Sequence, residues 1–162
     1  RRITIPVDSA WWRYARVAAH SGDGPYIFSG LGLAYLAGWL WSDEYLRQAM
    51  LQVTAAVLLA MAAVTAVKFM VRRQRPQPPG EFVMFQYDKY SFPSGHAARM
   101  IALTVAIFFF YPLAGWLLLA ITGLIAVARI GVGIHYFSDV VVGLGVGAGV
   151  AWGATGLLTN LG

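Results

Sequence analysis

The chain has 162 residues, of which 59% are hydrophobic and 12% are charged. Soluble domains average about 45–50% apolar and about 25% charged residues, so this composition is typical of a membrane protein. The lack of cysteine excludes disulfide bonds and thiolate metal sites. The net charge of +5 comes from basic residues between apolar segments. It indicates anionic headgroups or phosphate-bearing substrates as partners, rather than nucleic acid.

The first element in chain order is the segment 8–20, which mixes aromatic and basic side chains. Trp11, Trp12 and Tyr14 alternate there with Arg13 and Arg16. This pattern is typical of a helix lying in the membrane interface. An ordinary amphipathic surface helix explains it equally well.

Five apolar segments follow, and each is predicted to be a transmembrane helix. A spanning helix needs about 20 residues, so the shorter segments are expected to extend into their flanks. The pair Tyr111-Pro112 predicts a tight turn between two antiparallel helices. In the last segment, a stripe at Gly145, Gly149 and Gly153 predicts close approach of another helix. The five segments are residues 26–41, 49–67, 97–111, 113–128 and 140–160.

The predicted fold is all-α, a polytopic membrane bundle of about five transmembrane helices preceded by an interfacial helix. Residues 1–162 are taken as one integral-membrane domain, with an interfacial segment at 1–25 and a transmembrane core at 26–162. Of the 12 lysine and arginine residues, only Arg47 is assigned to the opposite membrane face by this number of spans. The polar clusters are therefore expected to meet on one face.

The first polar cluster is KFMVRRQRP, which contains Lys68 and Arg75. Seven residues make nearly two helical turns, so both side chains lie along one stripe if the helix continues to Pro76. Two inward-facing cations at a helix end suit a phosphate group. Ordinary positive flanking of a span is the alternative.

The second cluster is PSGH, residues 93–96. Ser94 is predicted to be the N-cap of the third span, whose first turn offers free backbone N–H groups to an anion. Gly95 would allow an oxyanion to approach the backbone closely. His96 lies in the first turn, with a capping or interfacial role as its alternative. Arg99 either supports the site or reaches for the interface.

The third cluster contains Arg129, His135 and Asp139. His135 and Asp139 are four residues apart, so on a helix the carboxylate accepts the imidazole N–H. This pairing fixes a tautomer and makes the other ring nitrogen a better nucleophile. Arg129 offers a fork of donors to phosphate oxygens. A structural ion pair is the alternative.

Taken together, the three clusters contain the parts that phosphoryl transfer requires. Cations bind the phosphoryl group and stabilise the charge that develops on it. One neutral histidine attacks, and another donates a proton to the leaving oxygen. None of the clusters is specific alone, whereas their common location favours a catalytic site.

In their order and spacing, the clusters resemble the three signatures of the type 2 phosphatidic acid phosphatase superfamily. These are K-x6-RP from Lys68, PSGH from Pro93 and R-x5-H-x3-D from Arg129. The superfamily includes lipid phosphate phosphatases, undecaprenyl pyrophosphate phosphatases and vanadium haloperoxidases. The chain departs from the pattern at Ala128, where the family usually has serine. The family often has six spans, so a sixth would precede residue 1.

The resemblance implies a hydrolase of lipid phosphate monoesters or pyrophosphates that needs no metal and no cofactor. It assigns His135 as the nucleophile that forms a phosphohistidine and Asp139 as the residue that orients it. It assigns His96 as the proton donor. The phosphate-binding residues that it implies are Lys68, Arg75, Ser94, Gly95 and Arg129.

The resemblance leaves the substrate open among isoprenoid pyrophosphate, phosphatidic acid, phosphatidylglycerol phosphate and lipid A. A bacterial isoprenoid or glycerolipid phosphatase is preferred, as a multi-pass protein of the inner cell membrane. The cations favour a cytoplasmic site by the positive-inside rule, but bacterial relatives favour the extracytoplasmic face, which we prefer. Self-association into a homo-oligomer is left open.

Two other functions are compatible with the three clusters. A vanadate-dependent haloperoxidase-like enzyme would use the same pocket, although the lipid-embedded architecture counts against it. A non-catalytic protein that binds or transports lipid phosphates is the second. A transporter would be expected to show repeated halves and polar residues at mid-span, and the sequence shows neither.

Overall fold

The computed structural model describes residues 4–76 and 89–161, and within these ranges it contains helices and no strand. The all-α prediction is confirmed. The last two side chains of the final helix lie outside the description. The helices are α1 Ala10–His20, α2 Gly24–Leu40, α3 Glu44–Val71, α4 Gly95–Phe110, α5 Pro112–Gly131 and α6 Phe137–Leu161.

Three of these helices are long and apolar enough to cross a membrane: α3, α5 and residues 137–159 of α6. The apolar α4 has 16 residues, and α2 has 17. Each predicted segment corresponds to one helix, and most of the helix ends extend beyond the predicted bounds, as expected. The tight turn is also confirmed, since Tyr111 alone separates α4 from α5. The number of five spans stays a prediction.

Helix α4 occupies the centre of the bundle and packs against α3, α5 and α6. Its buried face is rich in alanine, with Ala97, Ala98, Ala102 and Ala106 all buried. Small side chains allow neighbouring helices to approach closely when lipid supplies no hydrophobic driving force. The start of α4 is therefore held by its neighbours on several sides.

The close approach between α4 and α6 uses different glycines from those predicted. A Cβ atom added at Gly143 would lie 2.5 Å from the Ser94 carbonyl oxygen, and one at Gly147 would lie 2.2 Å from that of Ala98. The prediction was wrong by two residues, which rotates the stripe by about 200° around the helix. An added Cβ would meet no described atom within 4 Å at Gly145, Gly149 or Gly153.

Helix α1 lies against the end of α5. Ser9 caps it, and its buried Trp12 and Ala19 pack with Ala128, the residue at which the chain departs from the family pattern. The opposite face exposes Trp11 and other large side chains. The helix itself is confirmed. Its position in the membrane interface stays a prediction, which the exposed tryptophan favours.

The two ends of the bundle differ in polarity. At one end α3 begins and α4 ends, where the Tyr45 ring contacts the rings of Phe110 and Tyr111 and where Arg47 pairs with Glu44. At the other end α3 and α5 finish and α4 and α6 begin. The three predicted clusters all lie at this second end.

Candidate active site

The backbone joins the second and third clusters directly. The Ser94 N–H donates to the Asp139 carbonyl oxygen at 2.8 Å, so the start of α4 is fastened to the start of α6. The first cluster is joined by Ser91, whose N–H donates to the Arg73 carbonyl at 2.9 Å. Residues distant in sequence therefore meet in one polar site.

His135 lies at the centre of this site and is 3% exposed. Its Nε2 is 3.2 Å from Arg75 Nη1 and 3.1 Å from Arg129 Nη2. Its Nδ1 is 3.6 Å from Asp139 Oδ2. Because guanidinium groups only donate hydrogen bonds, this geometry assigns the proton to Nδ1 and the lone pair to Nε2.

The surroundings of His135 favour its neutral form. Burial lowers the pKa of its imidazole most, the Asp139 carboxylate opposes this shift, and Arg129 and Arg75 lower the pKa further, to about 4. Near neutral pH the ring is therefore uncharged, and its Nε2 lone pair points toward two cations. A phosphoryl group between these cations would meet a nitrogen nucleophile.

Asp139 is fully buried, and its carboxylate has two further partners. Oδ1 accepts from Arg73 Nη1 at 2.9 Å, and Oδ2 accepts from the Tyr136 N–H at 2.9 Å. Asp139 lies in the first turn of α6, whereas His135 lies before that helix. The expectation that both lie on one helix was wrong. The carboxylate reaches back toward the helix start, as an acidic residue in a capping box does.

The expected stripe of Lys68 and Arg75 along one helix was also wrong. α3 ends at Val71, and Arg72 adopts a left-handed conformation with φ 53°. Arg75 lies beyond the helix, where its Nη1 donates to the Ile134 carbonyl at 3.3 Å. It reaches His135 because the chain turns after α3, and Pro76 disfavours helix for the residue before it.

Lys68 remains on α3 and lies beside the start of α4. Its Nζ donates to the Tyr90 carbonyl at 3.0 Å, and its Cε would lie 3.9 Å from a Cβ added at Gly95. The predicted N-cap is confirmed, since Ser94 is extended and its hydroxyl accepts from the Ala97 N–H. A lysine and a capped helix start thus lie side by side, and both favour an anion.

His96, in the first turn of α4, contacts a residue that the motifs do not contain. Its Nε2 bonds to the carboxylate of Asp23, and the other oxygen of that carboxylate lies 3.2 Å from His20 Nδ1. Asp23 belongs to the turn between α1 and α2. We call residues 19–23 the α1–α2 corner.

Two arginines fasten the α1–α2 corner to the bundle. Arg99 donates to the Gly22 carbonyl through Nε at 3.1 Å and Nη2 at 2.8 Å. Arg129, which contacts His135 through Nη2, donates through Nη1 to the Ala19 carbonyl at 3.3 Å. Of the two roles considered for Arg99, the contacts favour support of the site over a reach for the interface.

Sequence reasoning missed Arg73 and Asp23. Arg73 stands in a run of similar basic residues, and its stacking on the Tyr136 ring, 4.4 Å from the centroid, depends on the tertiary fold. Asp23 is 73 residues from His96, so no local spacing could have paired them. Across residues 4–76 and 89–161, no group of three or more His, Asp or Glu side chains is arranged to hold a metal ion.

Comparison with known proteins identifies relatives of the sequence. The family model described as "PAP2 superfamily" matches residues 49–161. The chain is 34% identical over 139 residues to the decaprenylphosphoryl-5-phosphoribose phosphatase of Mycolicibacterium smegmatis, covering 80% of this chain and 69% of that protein. The Mycobacterium tuberculosis protein of the same name is 36% identical over 114 residues, and the chain spans only 58% of its length.

Two solved structures share the fold. One is a transmembrane PAP2-type phosphatidylglycerolphosphate phosphatase from Bacillus subtilis. It superposes with a TM-score of 0.79 at 15% identity, and the match covers 96% of this chain and 81% of that one. Aquifex aeolicus LpxE superposes with a TM-score of 0.64 at 20% identity, covering 89% and 84%. At such identities the likeness shows the fold alone. The family match and the curated relatives show more: the chain belongs to the PAP2 superfamily and is a lipid phosphatase of the PAP2 type.

Proposed function

We propose that the chain hydrolyses a phosphate monoester or pyrophosphate of a lipid through a phosphohistidine at His135, without a metal ion. The observation that carries this proposal is the His135 ring. Its Nε2 lies between the guanidinium groups of Arg75 and Arg129, and Asp139 backs its Nδ1. Neutral imidazole, aligned by a carboxylate and facing cations, is suited to attack a phosphorus atom.

In the first step, His135 Nε2 attacks phosphorus and the bond from phosphorus to the leaving oxygen breaks. His96 gives that oxygen a proton. Arg75 and Arg129 neutralise the charge on the transferring group. Lys68, Ser94 and the Gly95 backbone complete the phosphoryl site at the start of α4.

In the second step, water attacks the phosphohistidine and the bond from phosphorus to nitrogen breaks. His96, now neutral, accepts a proton from the water, and inorganic phosphate leaves. The cycle restores both histidines to their starting protonation states. Asp139 keeps its negative charge throughout and stabilises the positive charge that develops on His135.

For the substrate, we propose a lipid whose reacting phosphate is attached to a polar headgroup. An open cavity of about 440 Å³ lies beside the α1–α2 corner; its surface is mostly apolar, which suits the lipid part of such a substrate, and a few polar groups are available to the headgroup. It is lined by Arg16, Val17, His20, Ser21 and Tyr26. The names of the mycobacterial relatives make decaprenylphosphoryl-5-phosphoribose the first candidate to test.

For the location, we propose a multi-pass protein of the bacterial inner membrane with its site on the extracytoplasmic face. Several cations at the polar end of the bundle contact the site, so they do not report orientation in the way that free flanking charges do. Arg75 and Arg129 contact His135, and Arg99 holds the corner.

Purified protein in detergent should release phosphate from lipid phosphates at the same rate with and without EDTA. The panel should contain decaprenylphosphoryl-5-phosphoribose, phosphatidic acid, phosphatidylglycerol phosphate and undecaprenyl pyrophosphate. Release is measured as inorganic phosphate from initial rates. Activity abolished by EDTA would contradict the metal-free mechanism, and no release from any member would contradict the proposed function.

Replacing Arg73 with alanine should lower kcat/KM by about tenfold, by analogy with the loss of an outer partner that orients a metal ligand. Arg73 donates to Asp139 and to the Ser138 hydroxyl, so its loss leaves the Asp139 carboxylate less constrained. Arg72→Ala is the matched control, because that exposed arginine donates to the Phe69 carbonyl instead. Equal losses in the two variants would argue that general positive charge is what matters.

A further inference from the structure

The α1–α2 corner supplies a carboxylate to the proton donor of the proposed reaction. Asp23 stands at the N-cap position of α2, where an aspartate side chain usually accepts a backbone N–H of the first turn. Here the side chain makes no capping hydrogen bond. It is turned instead toward His96 and His20. The capping hydrogen bond within α2 is therefore absent, and the Asp23 carboxylate contacts His96 instead.

The corner is held tightly enough to fix this carboxylate. Gly22 is buried, and a Cβ added to it would lie 3.1 Å from Met100 Cγ and 3.4 Å from Ile125 Cδ1. The Gly22 carbonyl receives two hydrogen bonds from Arg99. Helices α4 and α5 therefore both determine where Asp23 lies.

We propose that Asp23 is the positioning residue of His96, holding its Nε2 so that Nδ1 faces the leaving oxygen. This inference rests on the proposed function. With Nε2 bonded to the carboxylate, Nδ1 is the ring nitrogen left to carry the transferred proton. His135 and His96 then each have a carboxylate partner, and the two partners come from opposite halves of the chain. Asp139 serves the nucleophile, and Asp23 serves the acid.

The charge of Asp23 is constant under assay conditions. Burial raises the pKa of its carboxyl, but the hydrogen bonds and charges of His96 and His20 outweigh burial and hold the pKa at about 2. The carboxylate is therefore ionised at any pH at which the protein is assayed. It favours the protonated form of the His96 ring throughout the reaction.

Other charges surround the same helix start. Burial of the ring, Arg129 of α5 and Arg99 of α4 itself all act against a positive charge on His96. Lys68 of α3 lies against Gly95, and the Asp139 backbone of α6 joins Ser94. Among these, Asp23 is the anionic side chain in direct contact with the His96 ring.

The test compares Asp23→Asn with wild type on two esters that differ in leaving group. Dodecyl phosphate releases an alcohol, which needs a proton, whereas 4-dodecyl-2-nitrophenyl phosphate releases a nitrophenol, which does not. For dodecyl phosphate, kcat/KM should fall by roughly 10- to 100-fold. For the nitrophenyl ester it should change by less than about threefold, because general acid catalysis contributes little there.

The pH profile gives a second readout that a purely structural role would not move. Without the Asp23 charge, the His96 ring holds its proton less well. The alkaline limb of kcat/KM for dodecyl phosphate should therefore move to lower pH in Asp23→Asn. Inhibition by inorganic phosphate should stay within about twofold of wild type, since Asp23 does not bind the phosphoryl group.

Two matched variants complete the design. Asp8→Asn removes the same charge from an exposed position before α1 and should leave both esters unaffected. His20→Gln removes the outer partner of Asp23 and should cost less than Asp23→Asn. Equal losses on both esters, or wild-type kcat/KM for dodecyl phosphate, would overturn the positioning role. A wild-type protein that hydrolyses neither these esters nor any lipid of the phosphate-release panel would instead refute the proposed function.

Discussion

Replacing His135 with alanine should abolish phosphate release, lowering kcat by a factor of about 10⁴ or more, as loss of a nucleophile does in other covalent mechanisms. The variant removes the proposed nucleophile, His135 Nε2, which lies between Arg75 and Arg129. The two arginines remain, so binding of a lipid phosphate should persist. Initial rates of phosphate release and a lipid-binding assay measure the two quantities separately.

Detection of the proposed phosphohistidine provides the control for this prediction. Wild-type protein quenched during turnover of labelled substrate should carry acid-labile phosphate, and His135→Ala should carry none. His96→Ala should still become labelled with a nitrophenyl ester, because that leaving group needs no proton. Unchanged turnover in His135→Ala would rule out this residue as the nucleophile.

Replacing Gly147 with alanine should disrupt the packing of α4 on α6 and with it the site. The added methyl group would lie 2.2 Å from the Ala98 carbonyl oxygen, and a backbone atom cannot move aside as a flexible side chain can. Overpacking costs about 1–3 kcal/mol where side chains adjust, so a backbone clash should cost at least about 3 kcal/mol. The melting temperature in detergent and the recovered activity should both fall.

The other glycines of α6 offer a matched control. Gly145→Ala and Gly149→Ala add the same methyl group on the exposed side of the same helix. They should preserve the melting temperature or raise it slightly, since alanine favours a helix by about 1 kcal/mol over glycine. A Gly147→Ala protein as stable and active as Gly145→Ala would show that the helices can separate at little cost.

The sequence predicted well those features that depend on local chemistry. Ser94 is an N-cap because its side chain and its extended backbone suit that position, and the turn at Tyr111 follows from Pro112. The hydrophobic segments likewise predicted the positions of the helices. Each of these features is determined within a few residues of chain.

The wrong predictions concern features that tertiary packing determines. The stripe at Gly145 has the right period for helix packing, but only the neighbouring helix determines which face of α6 is buried. Arg75 was assigned to a helix that ends before Arg72, yet it reaches His135 through the path of the following chain. Asp23 belongs to none of the motifs, because its proposed role depends on a contact with His96 across the bundle.

The α1–α2 corner lies before residue 49, where the match to the family begins. The surroundings of His96, the proposed proton donor, can therefore be altered without changing any of the three signatures. Chimeras that exchange residues 1–43 between relatives would keep the proposed nucleophile and the cations around it while replacing the segment that contacts His96. Such exchanges offer a route to enzymes of this kind with different working pH and different tolerance of the leaving group.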